Sequence, residues 1–240
     1  MLPDDDATMR VVALIPAAGQ GRRLAADVEK QYVPLRGVPI LARTLKVFED
    51  HPLVDGIVLA VGGRQRKILE KVILEPHPCR KIIQVVDGGA ERQESVARAL
   101  QAVPPECELV VIHDGVRPLL TSELLTSVVE AAGSGGAALA AIPARDTVKS
   151  VGDGQVKATL DRGGIWLAQT PQAFQASLIR RAHEQAARDQ IVGTDDAALV
   201  ERLGVSVRVV PGSEENIKVT TPADLIVAEA ILAKRMVHGA

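Results

Sequence analysis

Short, continuous apolar runs alternate along this chain with segments whose apolar residues recur every three or four positions. Residues Val11–Pro16, Gly56–Val61, 82–86, Leu109–Ile112 and 137–142 are runs of Val, Ile, Leu and Ala with almost no polar interruption. That is the pattern of strands buried on both faces. Residues 40–49, 65–74, 94–102 and 123–131 carry helical spacing between them. The alternation predicts an α/β fold, a mostly parallel sheet with helices on both faces. Further on, 174–189 and 196–203 predict helices and 205–210 a strand. A last helix has clear punctuation, with Thr221 as N-cap, Pro222 in the first helical position and Asp224 three residues beyond the cap, and runs to about Met236.

The alternation breaks across residues 145–165. Two short runs, 147–151 and 155–160, flank Gly152-Asp153-Gly154, a turn that joins antiparallel strands. Neither run can form a core, and an isolated hairpin is marginal in water. The prediction is a protruding β-hairpin arm that packs on the same arm of a second subunit; an edge hairpin folded back on its own sheet is the alternative. No stretch resembles a linker, so residues 1–240 read as a single domain carrying an arm at 145–165.

Composition narrows the function. Apolar residues make up 47% and charged residues 24% of the 240, an ordinary globular mixture. With 28 basic and 30 acidic side chains the net charge is −2, which excludes a strongly basic nucleic-acid binder. One Trp, one Tyr and two Phe leave no material for base-stacking platforms or aromatic peptide grooves. Cys79 and Cys107 form no C-x-x-C, so neither a zinc site nor a disulfide framework is expected. Asp4, Asp5 and Asp6 stand where a signal peptide would be basic, and no apolar stretch nears the ~20 residues of a membrane span. These features predict a cytoplasmic protein with no membrane partner.

Candidate chemistry lies at the ends of the predicted strands, where open parallel sheets bind ligands. The first strand empties into Ala17, Ala18, Gly19, Gln20 and Gly21, small residues that let backbone N–H groups approach a phosphate, followed by Arg22 and Arg23. Leu24 stands where a dinucleotide fingerprint needs its third glycine, and no Lys-Ser/Thr closes a Walker loop. Lys30 follows closely enough to reach the same anion. Gly88, Gly89 and Ser95 follow the third strand; Ser95 alone could equally satisfy a helix terminus. Asp114, Gly115 and Arg117 close the fourth strand. Their carboxylate and guanidinium suit a hydroxylated phosphate ester and also fit a structural ion pair. Arg162, Thr170, Thr194 and Lys218 sit in dispersed polar motifs that local reasoning cannot bring together.

Taken together, PAAGQGRR (16–23), KQY (30–32), VDGGAERQESV (86–96), IHDGVRP (112–118), RDTVK (145–149), LDRGGIW (160–166), QTPQAF (169–174), GTDDA (193–197) and ENIKVTTPADL (215–225) resemble the 2-C-methyl-D-erythritol 4-phosphate cytidylyltransferases of the non-mevalonate isoprenoid pathway. The resemblance runs from about Val11 to about Ala233. It implies a Rossmann-like nucleotidyltransferase fold, a homodimer joined by the arm, and Mg²⁺-dependent transfer of CMP from CTP to methylerythritol phosphate. Arg23 and Lys30 would be catalytic, stabilising charge on the α-phosphate. Ala17, Ala18, Gly19, Gly21, Gly89, Ser95, Asp114 and Gly115 would hold the nucleotide, and Arg117, Arg162, Thr170, Thr194 and Lys218 the acceptor, with Arg162 and Thr194 coming from the partner subunit. No protein metal ligand is implied, the Mg²⁺ being held mainly by the CTP phosphates. The chain departs from the family at Glu29, where Pro is common, at Gly115, where Ala is common, and at Ala90, often acidic. Rivals are a cytidylyltransferase for ribitol 5-phosphate or a related polyol phosphate, a nicotinamide-dependent oxidoreductase, and an inactive nucleotide-binding regulator.

A phosphate monoester nucleophile is largely dianionic at neutral pH, its second pKa lying near 6, so the reaction needs no general base. It needs cations to bring two anions together. Because the net charge is −2, Arg22, Arg23, Lys30, Arg117, Arg162 and Lys218 are expected to gather into a local excess at one rim of the sheet.

Overall fold

The computed structural model describes residues 11–19 and 29–238. The chain runs β1 (Val11–Pro16), β2 (Pro34–Leu35), β3 (Val38–Pro39), α1 (Ile40–Asp50), β4 (Gly56–Val61), α2 (Arg66–Leu69), β5 (Ile82–Asp87), α3 (Arg92–Gln101), β6 (Leu109–Ile112), α4 (Ser122–Gly135) and β7 (Ala137–Pro143). It continues through β8 (Lys149–Gly152), β9 (Gln155–Thr159), β10 (Trp166–Gln175), α5 (Ala176–Arg188), α6 (Asp196–Glu201), β11 (Arg208–Pro211) and α7 (Pro222–His238).

Seven strands form one sheet in the order β11-β7-β10-β6-β1-β4-β5. Alternate residues of its central strands face opposite ways, which is why these strands read as continuous apolar runs. Val11, Ala13 and Ile15 of β1 join Leu41, Leu45 and Phe48 of α1 and Val128 and Val129 of α4 on one face. Val12 and Leu14 join Val96 and Leu100 of α3, Ile179 of α5 and Leu199 of α6 on the other. Among the described residues no helix is long and apolar enough to cross a membrane.

Four details depart from the sequence pattern. Strand β5 is an edge strand with only partial burial, Ile83 standing 47% exposed, because it pairs on one side only, with β4. The predicted helix over 65–74 is α2 followed by a wider turn from Glu70 to Leu74. Pro76 and Pro78 supply no N–H to the carbonyls four residues back, and Glu75 N–H donates instead to Glu70 O at 2.9 Å. The predicted strand over 205–210 shortens to β11. Phe174 lies in β10 rather than at a helix start. That strand escaped the pattern because Gln169, Thr170 and Gln172, polar by type, are buried within it. It runs antiparallel to β6 and β7, so the sheet is parallel in every other pairing, and its register breaks between Ala168 and Gln172 where Pro171 lacks an N–H.

The arm forms a separate two-stranded sheet of β8 and β9, which excludes the alternative of an edge hairpin on the main sheet. Asp153 and Gly154, with φ of 53° and 74°, make the left-handed turn. Its paired Val151 and Val156 are about three-fifths exposed, so the arm buries no core of its own. The predicted capping of α7 is present: Asp224 N–H donates to Thr221 Oγ1 at 3.2 Å, and Thr221 N–H donates to Asp224 Oδ2 at 2.8 Å.

Beyond the carboxyl ends of β1 and β5 the chain turns very tightly. Gly88 N–H donates to Val61 O at 2.7 Å, tying the loop to the end of β4. A methyl group at Gly88 would collide with Cβ of Ala18 and approach Ser95 Oγ to 3.0 Å. Gly88→Ala is expected to destabilise the protein by about 1–3 kcal/mol in urea unfolding, through overpacking. Adding Ala18→Gly removes the colliding methyl and should recover most of the loss; a double variant no better than Gly88→Ala would disprove this contact as the cause.

Candidate active site

The loops after β1, β5 and β6 meet at one edge of the sheet. Ala17 N–H donates to Ala60 O at 2.7 Å, extending the β1–β4 pairing by one residue before the chain leaves the sheet at Ala18 and Gly19. The chain returns at Lys30. Gln31, 1% exposed, fixes that return by donating through Nε2 to Ala17 O at 3.0 Å and to Gln65 Oε1 at 3.3 Å. Across the cleft, Gly89 N–H donates to Ser95 Oγ at 3.0 Å, and the Ser95 hydroxyl donates to Glu91 O at 3.2 Å. Ser95 therefore shapes the loop from inside α3 as well as lining the cleft. Ala17, Ala18, Gly19, Lys30, Gly89 and Ser95 surround a cavity of about 130 Å³. Gly21 and Arg23 lie outside the described residues.

A second cavity of about 240 Å³ adjoins the first and is lined by Arg117, Gln169, Thr170, Gln172, Thr194 and Asp195. Arg92, Asp114 and Lys218 line both. Thr194 therefore reaches the cleft of its own chain, in contrast to the expectation that it comes from a partner. It directly precedes Asp195, which caps α6 by accepting from Ala198 N–H at 2.9 Å. Arg162 lines neither cavity; it sits exposed at the base of the arm with its guanidinium on Arg145 O. Gly115 is buried beneath the β6 loop, its N–H donating to Pro16 O at 3.3 Å and its carbonyl accepting from Thr44 Oγ1 at 3.1 Å.

Asp114 is the shared wall. Lys218 Nζ lies 2.9 Å from Oδ2, Arg92 Nε 2.9 Å from Oδ1, and Arg117 Nε 3.6 Å from Oδ2. Burial pushes the Asp114 carboxyl up, but Arg92, Lys218 and Arg117 together outweigh burial and hold it well below the ordinary range. Arg92 also grips Asp196 at 2.7 Å, and Asp196 in turn contacts His183 Nε2 at 3.2 Å. The β6-loop cation is anchored to the last polar segment: Arg117 Nη1 donates to Asn216 O at 2.7 Å, and Asn216 Nδ2 donates to Thr170 O at 2.8 Å. The expected gathering of cations holds for Lys30, Arg117 and Lys218 among the described residues, but carboxylates are interleaved with them.

Sequence reasoning missed Arg92, Asp196 and Asn216. The signal for Arg92 was its position: a cation in the first turn of a helix opposes the macrodipole and calls for a carboxylate partner.

His113, fully buried, ties the loop to β10. Its Nε2 contacts Arg117 O at 3.1 Å and its Nδ1 contacts Thr170 Oγ1 at 3.0 Å. A carbonyl can only accept, so Nε2 carries the proton and Nδ1 accepts from the Thr170 hydroxyl, whose oxygen accepts from Asp114 N–H at 3.1 Å. Burial, opposed in part by the Arg117 carbonyl and the Asp114 charge, lowers this imidazole to about 4. It is neutral at physiological pH and holds the loop.

A small-residue loop at the carboxyl edge of an α/β sheet, beside a second cleft lined by Arg117 and Lys218, is the layout of a group-transfer enzyme. Residues 11–234 match the family described as 2-C-methyl-D-erythritol 4-phosphate cytidylyltransferase, and the chain belongs to that family. A relative of that name from Syntrophus aciditrophicus (strain SB) is 51% identical over 226 residues, 94% of this chain and 97% of its own length. Another from Geobacter metallireducens is 48% identical over 231 residues, covering 95% of this chain and all of its own. Among solved structures, the 4-diphosphocytidyl-2C-methyl-D-erythritol synthase of Anaerococcus prevotii DSM 20548 aligns with a TM-score of 0.84 at 32% identity, covering 94% of this chain and 99% of its own.

The lowered His113 gives stability a defined pH dependence. Unfolded, the imidazole takes a proton near its ordinary 6.5; folded, it refuses one until about 4. Stability is therefore lost as pH falls from about 7 toward 4. Between pH 7.5 and pH 5 the contribution of this residue falls by about 2 kcal/mol. His113→Gln should remove that share of the wild-type slope in urea unfolding at the two pH values; an unchanged slope would show that His113 is not its source.

Proposed function

We propose that this enzyme transfers CMP from CTP to 2-C-methyl-D-erythritol 4-phosphate, giving 4-diphosphocytidyl-2-C-methyl-D-erythritol and pyrophosphate for isoprenoid precursor synthesis. The observation that carries the reading is the pair of adjoining clefts with Arg92, Asp114 and Lys218 in their common wall. CTP enters the first cleft, its phosphates on the backbone of Ala17, Ala18, Gly19 and Gly21, its cytosine against the Gly89–Ser95 segment, and its ribose near Asp114, with Gly115 behind. The acceptor phosphate enters the second, toward Arg117, Thr170, Thr194 and Lys218. An oxygen of the dianionic acceptor phosphate forms a bond to the α-phosphorus as the bond to the bridging oxygen of pyrophosphate breaks. No proton need move. Lys30 and Arg23 stabilise the charge on the α-phosphate.

A divalent cation, Mg²⁺ in this reading, would neutralise the triphosphate and its leaving pyrophosphate. The described residues include no group of three His, Cys, Asp or Glu side chains that could hold a metal, and Asp114 is already engaged by three cations. The donor set therefore fits an ion carried in on the CTP phosphates.

The arm supports a homodimer. Val151, Val156 and Leu160 are 43–61% exposed on a hairpin without a core, Trp166 and Leu167 at the adjoining start of β10 are 42% and 53% exposed, and Arg162 at the base of the arm is exposed. Both cysteines are free, in keeping with a cytoplasmic setting.

Pyrophosphate release, measured side by side with methylerythritol phosphate and ribitol 5-phosphate, should proceed with the first and be much slower with the second; the reverse would favour the polyol-phosphate rival. Lys30→Ala or Arg23→Ala is expected to lower kcat by about 10²–10³, roughly 3–4 kcal/mol. A variant with both changes and near-normal turnover would sink these roles. In sedimentation the protein should be a dimer at micromolar concentration, and a fully active monomer would overturn the arm's role.

A further inference from the structure

Arg92 occupies an unusual place between the clefts. It belongs to the first turn of α3, the helix that carries Ser95, yet its Nη1 reaches Asp196 at the start of α6, just after Thr194 and Asp195 of the second cleft. Its Nε holds Oδ1 of Asp114, leaving Oδ2 to Lys218 and Arg117. Asp196 is 1% exposed, lines neither cavity, and among the described residues its carboxylate contacts Arg92 and His183, of which Arg92 lines the clefts. Nη2 of Arg92 is buried without a hydrogen-bond partner. A buried, unsatisfied N–H is destabilising, so stability alone does not account for a guanidinium stretched between two carboxylates.

We propose that Arg92, anchored by Asp196, is a positioning residue that holds Oδ1 of Asp114, so that the carboxylate meets Lys218 and Arg117 through Oδ2 alone and both cations keep donors for the acceptor phosphate. This rests on the assignment of the second cleft to the acceptor. Without the restraint, Oδ1 of Asp114 is released to the same two cations and competes with the incoming phosphate for their remaining donors. The nucleotide cleft keeps the loop at Ala18 and Gly19 and the segment from Gly89 to Ser95, which Arg92 does not hold through Asp114, so the effect falls mainly on the acceptor.

The test is steady-state kinetics of the full chain with CTP and methylerythritol phosphate, using Asp196→Asn, Arg92→Lys and the double variant. Asp196→Asn preserves shape and touches neither substrate. It should raise KM for methylerythritol phosphate about tenfold, the weight of one charge-assisted hydrogen bond, while KM for CTP stays within about twofold. Arg92→Lys keeps the charge but cannot span both carboxylates, and should show the same split. The double variant should raise KM for methylerythritol phosphate no further than Arg92→Lys alone, because the side chain of Asp196 acts on the clefts through Arg92. Equal changes in both KM values, a change in kcat alone, or additive effects in the double variant would overturn the proposal. Either single variant decides by its KM split if the other fails to fold. Wild-type protein inactive with methylerythritol phosphate would instead overturn the assignment of the acceptor.

Discussion

The Asp114 carboxylate sits at the end of β6, 6% exposed, with Arg92 and Lys218 at 2.9 Å and Arg117 at 3.6 Å. A buried charge costs several kcal/mol unless it is paired and hydrogen-bonded, and removing one partner from such a group is strongly destabilising. The three cations come from three separate parts of the chain: the start of α3, the β6 loop and the segment before α7. One carboxylate thereby sets the relative positions of elements that the sheet alone would leave independent. The segment carrying Lys218 is also held by main chain, Val219 N–H donating to Val116 O at 2.9 Å.

The reversed strand β10 makes that arrangement possible. Gln172 stands opposite Ile112, the last residue of β6, so the preceding residues of β10, Gln169 to Pro171, run alongside the loop that carries His113 and Asp114. A parallel strand would deliver only its carboxyl end to this edge. An antiparallel one passes through the site on its way into the sheet, and so places the Thr170 hydroxyl between Asp114 N–H and His113 Nδ1. The same stretch supplies Gln172, whose Nε2 donates to Asp195 at 2.9 Å and whose Oε1 accepts from Ala197 N–H at 3.0 Å, fixing the start of α6. The polar residues of β10 are structural partners of the site rather than interruptions of a strand.

This explains what the sequence could and could not reveal. Strands β1, β4, β6 and β7 were legible because burial on both faces leaves a continuous apolar run, a local property. The cap of α7 was legible because Thr221 and Asp224 satisfy each other within one turn. Strand β10 was not, since its buried Gln and Thr side chains find partners between 23 and 57 residues away. Asp196 likewise becomes a site residue only through Arg92, 104 positions distant. The Ala17–Gly19 and Gly89 loops were visible from their small residues, and the expectation that Thr194 needs a second subunit failed because nothing local in the sequence says where α6 begins in space.

The net charge of −2 gains meaning from the same geometry. Cations at the site are not a bare excess waiting for an anion: Arg92 is held between two carboxylates, and Lys218 and Arg117 both face Asp114. An ammonium has three donors and a guanidinium five, so a cation engaged by one carboxylate still has donors to offer a phosphate. Lys218, with 38% of its side chain exposed, presents such donors to the clefts. Pairing each cation to a fixed carboxylate holds it in place before any substrate arrives, so its orientation does not have to be established during the reaction. Because the cations hold Asp114 ionised far below physiological pH, that anchoring does not vary across the range in which the enzyme works. The chain can thus be slightly acidic overall and still present ordered positive charge to two anionic substrates.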